Sequence, residues 1–153
     1  MQDTCWQSRI TIADFKAMCS DRLPFAKLIG MELDRIEADG VIMRARYNED
    51  HLRPGGTISG PVMMALADGA VYALLLSHIG PVELAVTTNL SINFLRKPEP
   101  ADLLARASLL KLGARLAVAE VSIYSAGADG EISGEAVAHA TATYSIPPRD
   151  KRQ

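Results

Sequence analysis

Two hydrophobic periods divide most of this chain into helices and strands. From Ser59 to His78 the apolar residues recur at helical spacing, which predicts one long helix. After Gly80-Pro81 the period changes to two, and four strands are predicted at 86–94, 102–112, 115–125 and 134–145. The residues expected on the buried face of the helix are Met63, Leu66, Ala67, Ala70, Val71 and Leu74.

The first third of the chain predicts a helix and a strand pair. A short helix over about 11–19 has Thr11 as its cap and is followed by a break at Pro24. Strands at 31–36 and 41–47 are expected to pair across "EADG", where glycine allows a positive φ. The next segment, "RPGGT", is predicted to be a loop.

The order of these elements indicates an α+β architecture. Short turns between the later strands favour antiparallel pairing, and the long apolar helix needs a sheet to cover it. Ala136, Ala138, Ala140 and Ala142 alternate along the last strand and form a shallow face that this helix can fill. The pattern therefore favours an antiparallel sheet wrapped around one central helix.

Composition and charge narrow the class of protein. The 153 residues suit a single domain over 1–153, with a polar tail over about 147–153 that is expected to fray. A net charge of −2 gives no reason to expect a nucleic-acid partner. Two cysteines and three scattered histidines form no disulfide framework and no metal-binding spacing, so no metal is expected. The start of the chain lacks a signal-peptide pattern, and a reducing cytoplasm is the expected location.

The long helix has a second interpretation as a membrane span. Residues 58–79 are apolar enough and about long enough to cross a bilayer. Asp68 would then lie near the bilayer centre, at a cost of roughly 2.5–3.5 kcal/mol. The amphipathic strands also need a helix to cover them. We therefore expect a buried core helix and no membrane partner.

One carboxylate stands alone within this helix. Between Arg53 and Glu83 the only charged residue is Asp68, and its neighbours at helical spacing carry no positive charge. Its helical angle places it at the edge of the core face, near Met64 and Leu75. A carboxylate that leaves water without a partner is costly, which makes Asp68 a candidate functional residue. The alternative is an acid that is hydrogen-bonded to the backbone or to a strand Thr or Asn and has no catalytic role.

Several stretches of the chain resemble the hot-dog-fold acyl-CoA thioesterases, specifically the phenylacetic-acid-degradation (PaaI-type) branch. They are "PFAKLIGMEL", "GTISGPVMMALADGA", "TTNLSINFLRKP" and the alternating strands that follow, together about residues 24–144. The resemblance implies a six-stranded antiparallel sheet around a central helix. It also implies a homodimer or dimer of dimers whose sheets join edge to edge, with active sites between subunits.

The same resemblance implies a set of catalytic residues. In that family a His-Gly-Gly segment opens the central helix and an aspartate follows two turns later. Gly60 matches the first glycine, whose N–H polarises the thioester carbonyl, and Asp68 matches the general base or nucleophile. Ser59 and Pro61 stand in place of the histidine and the second glycine, and Arg53 replaces an asparagine of many relatives. Ser59 is also a plausible cap for the helix.

Residues near these motifs are candidates for substrate binding. Thr87 or Thr88 falls near a serine or threonine that assists in some family members. Arg96 and Lys97 can bind the phosphates of coenzyme A, with Arg106, Lys111 and Arg115 as rivals. The substrate-binding candidates are Thr57, Thr87, Thr88, Tyr72, Arg96 and Lys97.

These residues lead to one expected function and two alternatives. The chain is expected to hydrolyse a small, medium or aryl acyl-CoA to the free acid and coenzyme A, with no other cofactor. A non-hydrolytic acyl-CoA-binding protein is the first alternative, and Ser59, Pro61 and Arg53 favour it. A hot-dog dehydratase that acts on acyl carrier protein is weaker, because the chain lacks an "HFPG"-like loop.

Overall fold

The computed structural model describes residues 6–148, whose backbone forms three α-helices and two antiparallel sheets. The helices are α1 (Ile12–Arg22), α2 (Pro24–Ile29) and α3 (Gly60–Ile79). The strands are β1 (Met31–Glu37), β2 (Gly40–Ala45), β3 (Leu52–Arg53), β4 (Thr57–Ile58), β5 (Val86–Phe94), β6 (Leu103–Leu112), β7 (Leu116–Ala126) and β8 (Ile132–Ser145). Most of the tail that was expected to fray, residues 149–153, lies outside the described residues.

The larger sheet packs against α3 and is antiparallel, as predicted, while its strand order was not predicted from the sequence. Its strand order is β1-β2-β6-β7-β8-β5, and all neighbouring strands are antiparallel. The long helix and the six strands differ from their predicted bounds by only a few residues. The predicted hot-dog fold is confirmed.

The central helix is held in the core by its apolar residues. Every residue expected on its inner face is buried, and eleven residues of α3 are buried in all. Among the described residues, α3 is also the one helix long and apolar enough to cross a membrane by length and composition. In this structure those apolar side chains are packed against the sheet.

Alanines on both elements let α3 approach the sheet closely. On β8, Ala138, Ala140 and Ala142 are at most 1% exposed, while Ala136 at the end of the row is half-buried. On α3, Ala67, Ala70 and Ala73 are fully buried. Small side chains on both surfaces leave no room for larger ones, because protein interiors are close-packed. The predicted alanine face is therefore one part of the surface that α3 covers, together with β2, β6 and β7.

The segment before β1 contains more helix than the sequence predicted. Helix α1 continues to Arg22, and its cap at Thr11 is confirmed by a reciprocal hydrogen-bond pair with Asp14. Pro24 does not simply break the chain, because it begins α2. Proline is tolerated in the first turn of a helix, where its missing N–H would have no partner.

Two turns also differ from expectation. The predicted loop "RPGGT" is a tight hairpin between β3 and β4, in which Gly55 and Gly56 adopt φ of 99° and 75°. At the β1–β2 turn, Gly40 does not have a positive φ. Glycine is required there for space, because a Cβ would lie 2.3 Å from the carbonyl oxygen of Ala107.

Enlarging the alanine face tests this packing. We expect Ala140→Leu to lower the free energy of unfolding by about 1–3 kcal/mol, because the new side chain has no space between β8 and α3. Ala136→Leu, at a half-buried position of the same strand, is the control and should accommodate the change with a smaller loss. Urea unfolding of both variants at one protein concentration measures the difference. Equal losses would contradict the close seating of the helix.

Candidate active site

The Asp68 carboxylate is held by two hydroxyl groups from the edge of the sheet. Its Oδ1 accepts hydrogen bonds from Thr87 Oγ1 at 2.5 Å and from the Tyr144 hydroxyl at 2.8 Å. Within residues 6–148, Asp68 forms no ion pair and its Oδ2 accepts no hydrogen bond. The predicted position at the edge of the core is confirmed, since Asp68 is half-buried. Neutral donors therefore fix one carboxylate oxygen and leave the other available.

A β-bulge decides which of two adjacent threonines reaches Asp68. Thr87 lies opposite Tyr144, but the register then shifts so that Asn89 lies opposite Thr143 and Leu90 opposite Ala142. Directly opposed residues share a face of the sheet. Thr87 and Leu90 consequently both face α3, which strict alternation forbids. Thr88 is the extra residue of the bulge, and its hydroxyl donates to the Thr143 carbonyl.

The sequence alternation therefore placed these threonines wrongly. Strict alternation over residues 86–94 would put Thr88 with Leu90 and Ile92 on one face and Thr87 with the polar residues on the other. Thr87 is instead the residue that contacts Asp68, and Thr88 lines neither of the two clefts described below. A bulge leaves no clear mark in a hydrophobic pattern, so only the structure separates these two candidates.

Tyr144 is a site residue that sequence reasoning missed. Its side chain is only 2% exposed, and its hydroxyl lies 3.0 Å from the backbone oxygen of Asp68 as well as 2.8 Å from Oδ1. Burial and the adjacent Asp68 carboxylate raise the pKa of Tyr144 well above its usual value, which keeps its proton available for donation. The sequence contains one indication of this residue. Tyr144 continues the alternating alanines of β8, but its side chain is large and ends in a hydroxyl.

Asp68 opens into an apolar cleft of about 540 Å³, here called the Asp68 cleft. It lies between α3, the α1–α2 segment and the start of β5. The cleft contains the predicted Asp68, Thr87 and Tyr72 together with Tyr144. The rest of its wall is formed by Met18, Arg22, Leu23, Phe25, Met31, Ala65, Gly69, Glu83, Leu84, Ala85 and Val86.

A second cleft of about 590 Å³ surrounds the start of α3 and is here called the Gly60 cleft. The N–H of Gly60 has no acceptor within α3, because the first N–H groups of a helix precede its hydrogen-bond pattern. Pro61 has no N–H, and the N–H of Val62 already donates to the Ser59 carbonyl at 3.2 Å. The positive end of the helix dipole and the free donor are thus concentrated at Gly60. The ring of Phe94 covers this glycine so closely that a Cβ would lie 3.1 Å from it.

Ser59 is correctly placed at the helix start, but its predicted capping role is wrong. It occupies the N-cap position, yet its side chain makes no capping hydrogen bond. Its backbone N–H donates to the carbonyl of His51 at 3.0 Å, which ties the helix start to the preceding hairpin. Ser59 lines the Gly60 cleft, and its hydroxyl makes no hydrogen bond that caps the helix.

The Gly60 cleft gathers the other polar candidates, Arg53, Thr57, Arg96 and Lys97. The Thr57 hydroxyl is buried and has no hydrogen-bond partner in the part of the chain described, which is costly unless a ligand or another chain supplies one. The guanidinium of Arg96 is partly engaged, because it donates to the Ala136 carbonyl and lies 3.5 Å from Glu135.

The rival cations lie elsewhere. Arg106 pairs with Asp39 at 3.0 Å, and Arg115 donates to the Ile146 carbonyl at 2.9 Å. Neither these two residues nor Lys111 lines the Asp68 cleft or the Gly60 cleft. Residues 6–148 contain no group of three or more His, Cys, Asp or Glu side chains that could hold a metal ion.

Within a single chain, the two halves of the predicted site lie far from each other. Gly60 and Asp68 lie eight residues apart on α3, which corresponds to about 12 Å along the helix axis. They open into separate clefts at the two ends of β5, with Phe94 beside Gly60 and Thr87 beside Asp68. The structure brings Gly60 together with Ser59 and Arg53, and Asp68 together with Thr87 and Tyr72, but it does not bring Gly60 to Asp68 within a single chain.

Comparisons with known proteins agree with this fold and its central helix. Residues 55–130 match the thioesterase superfamily, a segment that contains α3 and both candidate residues. A candidate esterase from Saccharolobus solfataricus is 30% identical over 97 residues. That match spans 63% of this chain and 63% of the length of the Saccharolobus protein.

Solved structures extend the similarity over nearly the whole chain. The crystal structure of a candidate thioesterase from Silicibacter sp. TM1040 is 44% identical, covers 95% of this chain and 97% of that one, and has a TM-score of 0.81. A phenylacetic acid degradation protein PaaI from Thermus thermophilus is 26% identical, covers 81% and 99%, and has a TM-score of 0.66. A thioesterase from Haemophilus influenzae, at 18% identity and a TM-score of 0.79 over 97% of this chain, shares the fold.

The Tyr144 contact predicts a specific loss of stability at alkaline pH. Because the pKa of Tyr144 is raised in the native protein, the unfolded chain loses this proton first, near pH 10. The free energy of unfolding should therefore fall as the pH rises above about 10, and Tyr144→Phe should remove about 1.4 kcal/mol per pH unit from that fall. Urea unfolding from about pH 9 to 11 measures both slopes. The exposed Tyr47→Phe is the matched control, and a Tyr144→Phe slope equal to the wild-type slope would contradict the contact.

Proposed function

The chain belongs to the thioesterase superfamily, and from this premise we propose that it is an acyl-CoA thioesterase of the PaaI type. The observation that carries the proposal is the Asp68 carboxylate, fixed through Oδ1 and free at Oδ2 inside a ligand-sized cleft. Such an oxygen can accept a proton from water or attack a carbonyl carbon directly. The substrate is proposed to be a small, medium or aryl thioester of coenzyme A.

A second copy of the chain is proposed to complete the site through β5. This strand is one edge of the sheet and, within residues 6–148, pairs only with β8, so its outer backbone groups are available to another strand. Val86 and Phe94, at its two ends, are each about half exposed. Antiparallel pairing of β5 with its symmetry mate would cover both residues. This arrangement gives a twofold homodimer, which can pair further into a dimer of dimers.

The same pairing would join the two half-sites. In a symmetric antiparallel pair centred near Leu90, the Thr87 end of one strand lies beside the Phe94 end of the other. Thr87 is bonded to Asp68, and Phe94 covers Gly60. The Asp68 cleft of one subunit would then face the Gly60 cleft of the partner subunit. The separation along α3 is thereby explained, because the two groups act across the interface.

The proposed reaction uses both halves. Asp68 Oδ2 takes a proton from water, and the water oxygen attacks the thioester carbonyl carbon; in the alternative, Oδ2 attacks and water cleaves the resulting anhydride. The carbonyl oxygen gains negative charge and accepts a hydrogen bond from the N–H of Gly60 of the partner subunit. Collapse of the tetrahedral intermediate breaks the carbon–sulfur bond, and in the water pathway the coenzyme A thiolate leaves with the proton that Asp68 took from water, which regenerates the carboxylate. Thr87 and Tyr144 hold the carboxylate in position during these steps.

Coenzyme A is proposed to leave through the Gly60 cleft. Arg53 and Lys97 line this cleft and form no ion pair within residues 6–148, so both can meet phosphate oxygens. Arg96 is the weaker candidate because its guanidinium already contacts β8. Thr57 supplies an unpartnered hydroxyl in the same cleft.

Removing the charge of Asp68 tests the chemistry. We expect Asp68→Asn to reduce thiol release from acyl-CoA substrates by about 10²- to 10⁴-fold, because the amide cannot accept the proton. Release is followed with a thiol reagent over a panel of acyl and aryl thioesters. Asp50→Asn, the same change on an exposed residue outside both clefts, is the control and should retain activity.

This panel also separates the hydrolase from the non-hydrolytic alternative. Ser59 and Pro61 support the binding hypothesis, because they replace polar and donor groups of the family motif. Tight binding of acyl-CoA without thiol release, unchanged in Asp68→Asn, would reject the hydrolase and favour the binding protein.

Mixing two inactive variants tests the shared site. Gly60→Val should block the approach of a carbonyl to the helix start, and Asp68→Asn should remove the base. A hybrid dimer with one subunit of each kind keeps one site in which both residues are native, so it should recover about half of the wild-type activity. Coexpression with two affinity tags isolates the hybrid. Hybrids as inactive as their parents, with unchanged melting temperatures, would place the whole site within one subunit.

A further inference from the structure

The Asp68 cleft continues past the reacting groups into an apolar space. Beyond Asp68, Thr87 and Tyr144, most of the wall consists of methionine, leucine, phenylalanine and small side chains from α1, α2, β1 and the segment before β5. Its volume of about 540 Å³ falls within the range of small-molecule sites. An enclosure this apolar is more than a water molecule needs.

Among residues 6–148, the charged side chains around this space leave no free cation for a ligand. Besides Asp68, the charged residues in its wall are Arg22 and Glu83, and these pair with each other at 2.5 Å. A ligand group with a negative charge would find no partner here and would be repelled by Asp68. An uncharged, apolar group suits the space.

Tyr72 lies in the wall of this space and contacts Met18 of α1. It lies one helical turn beyond Asp68 on α3, about 6 Å along the axis. Its hydroxyl donates to the Glu83 carbonyl at 3.2 Å and lies 3.8 Å from Met18 Sδ. Behind it the ring of Phe15 is 5% exposed, with the two ring centroids 6.2 Å apart. The Tyr72 ring is therefore fixed between α3, α1 and the segment that follows α3.

We propose that the Asp68 cleft is an acyl pocket for uncharged, apolar acyl groups and that Tyr72 sets the longest group it accepts. This inference rests on the proposed thioesterase function, since the acyl carbon must reach Asp68. An acyl chain that extends from Asp68 along α3 gains apolar contacts until it meets the Tyr72 ring. Helices α1 and α2 are thereby assigned to substrate selection, because they supply the opposite wall.

Binding of non-hydrolysable S-alkyl thioethers of coenzyme A tests the pocket independently of turnover. In the wild type, calorimetric affinity should rise about fourfold with each added methylene until the pocket is full, and then stop rising. Tyr72→Ala should move this limit to chains at least about two methylenes longer, since each methylene needs its own buried surface. Tyr72→Leu keeps an apolar side chain beside Phe15 and should move the limit in the same direction, which keeps the test valid if the alanine variant unfolds.

Two controls define the result. Tyr72→Phe keeps the ring and should leave the length limit in place, although it loses the hydrogen bond to Glu83. A thioether of equal length that ends in a carboxylate should bind at least about tenfold more weakly than its methyl-ended counterpart, because a buried charge without a partner is costly. A length limit that is unchanged in folded Tyr72→Ala and Tyr72→Leu would overturn the proposal, as would equal binding of the charged and uncharged thioethers.

The pocket and the hydrolysis can fail separately. If the thioethers show the expected limit and its shift while no thioester is cleaved, the pocket is supported and the hydrolase is rejected. If thioesters are cleaved by way of Asp68 but the limit does not depend on Tyr72, the hydrolase is retained and the pocket is rejected. Absence of any thioether binding also rejects the pocket.

Discussion

The site depends on two hydrogen bonds that fix one oxygen of Asp68 to the edge of the sheet. A cation in the same place would neutralise the carboxylate and compete for both of its oxygens. The neutral hydroxyls of Thr87 and Tyr144 instead orient the group through Oδ1, and within residues 6–148 Oδ2 has no hydrogen bond in the wall of the Asp68 cleft. Because Tyr144 is almost fully buried, this orientation is set by the packing of β8 against α3. Core packing and the chemistry proposed for the site are therefore linked through one phenol.

Strand β5 is the second constraint, since it contributes to both halves of the proposed site. Its first residues contact Asp68, its last residue covers Gly60, and its outer edge is unpaired in the described chain. A straight helix cannot bring residues eight positions apart to one point, whatever the sequence around them. In the proposed dimer, the twofold axis places the Thr87 end of one β5 strand beside the Phe94 end of the other. Asp68 of one subunit is thereby brought to Gly60 of the partner subunit. Dimerisation and catalysis would then depend on the same strand.

The sequence predicted the features that have a period or an isolated charge. The helical period of α3 and the alternation of β5 to β8 predicted the helix and the antiparallel sheet, and the lone charge made Asp68 a candidate. The side of β5 on which Thr87 lies could not be predicted, because the bulge at Thr88 changes the register without changing the composition. Tyr144 was missed because its partner is distant in the chain. The glycine at position 40 was expected to allow a positive φ. It is needed instead for close contact with Ala107, which exists only in the folded sheet.

A crystal structure with a bound S-alkyl coenzyme A thioether would show whether Asp68 and Gly60 act across the dimer interface. The thioether sulfur and its first carbon should lie between Asp68 of one subunit and the N–H of Gly60 of the partner subunit. The alkyl chain should run along α3 toward Tyr72, and the phosphates should lie near Arg53 and Lys97. A ligand bound within one subunit, or a dimer in which Asp68 and Gly60 of the two copies face away from each other, would contradict this arrangement.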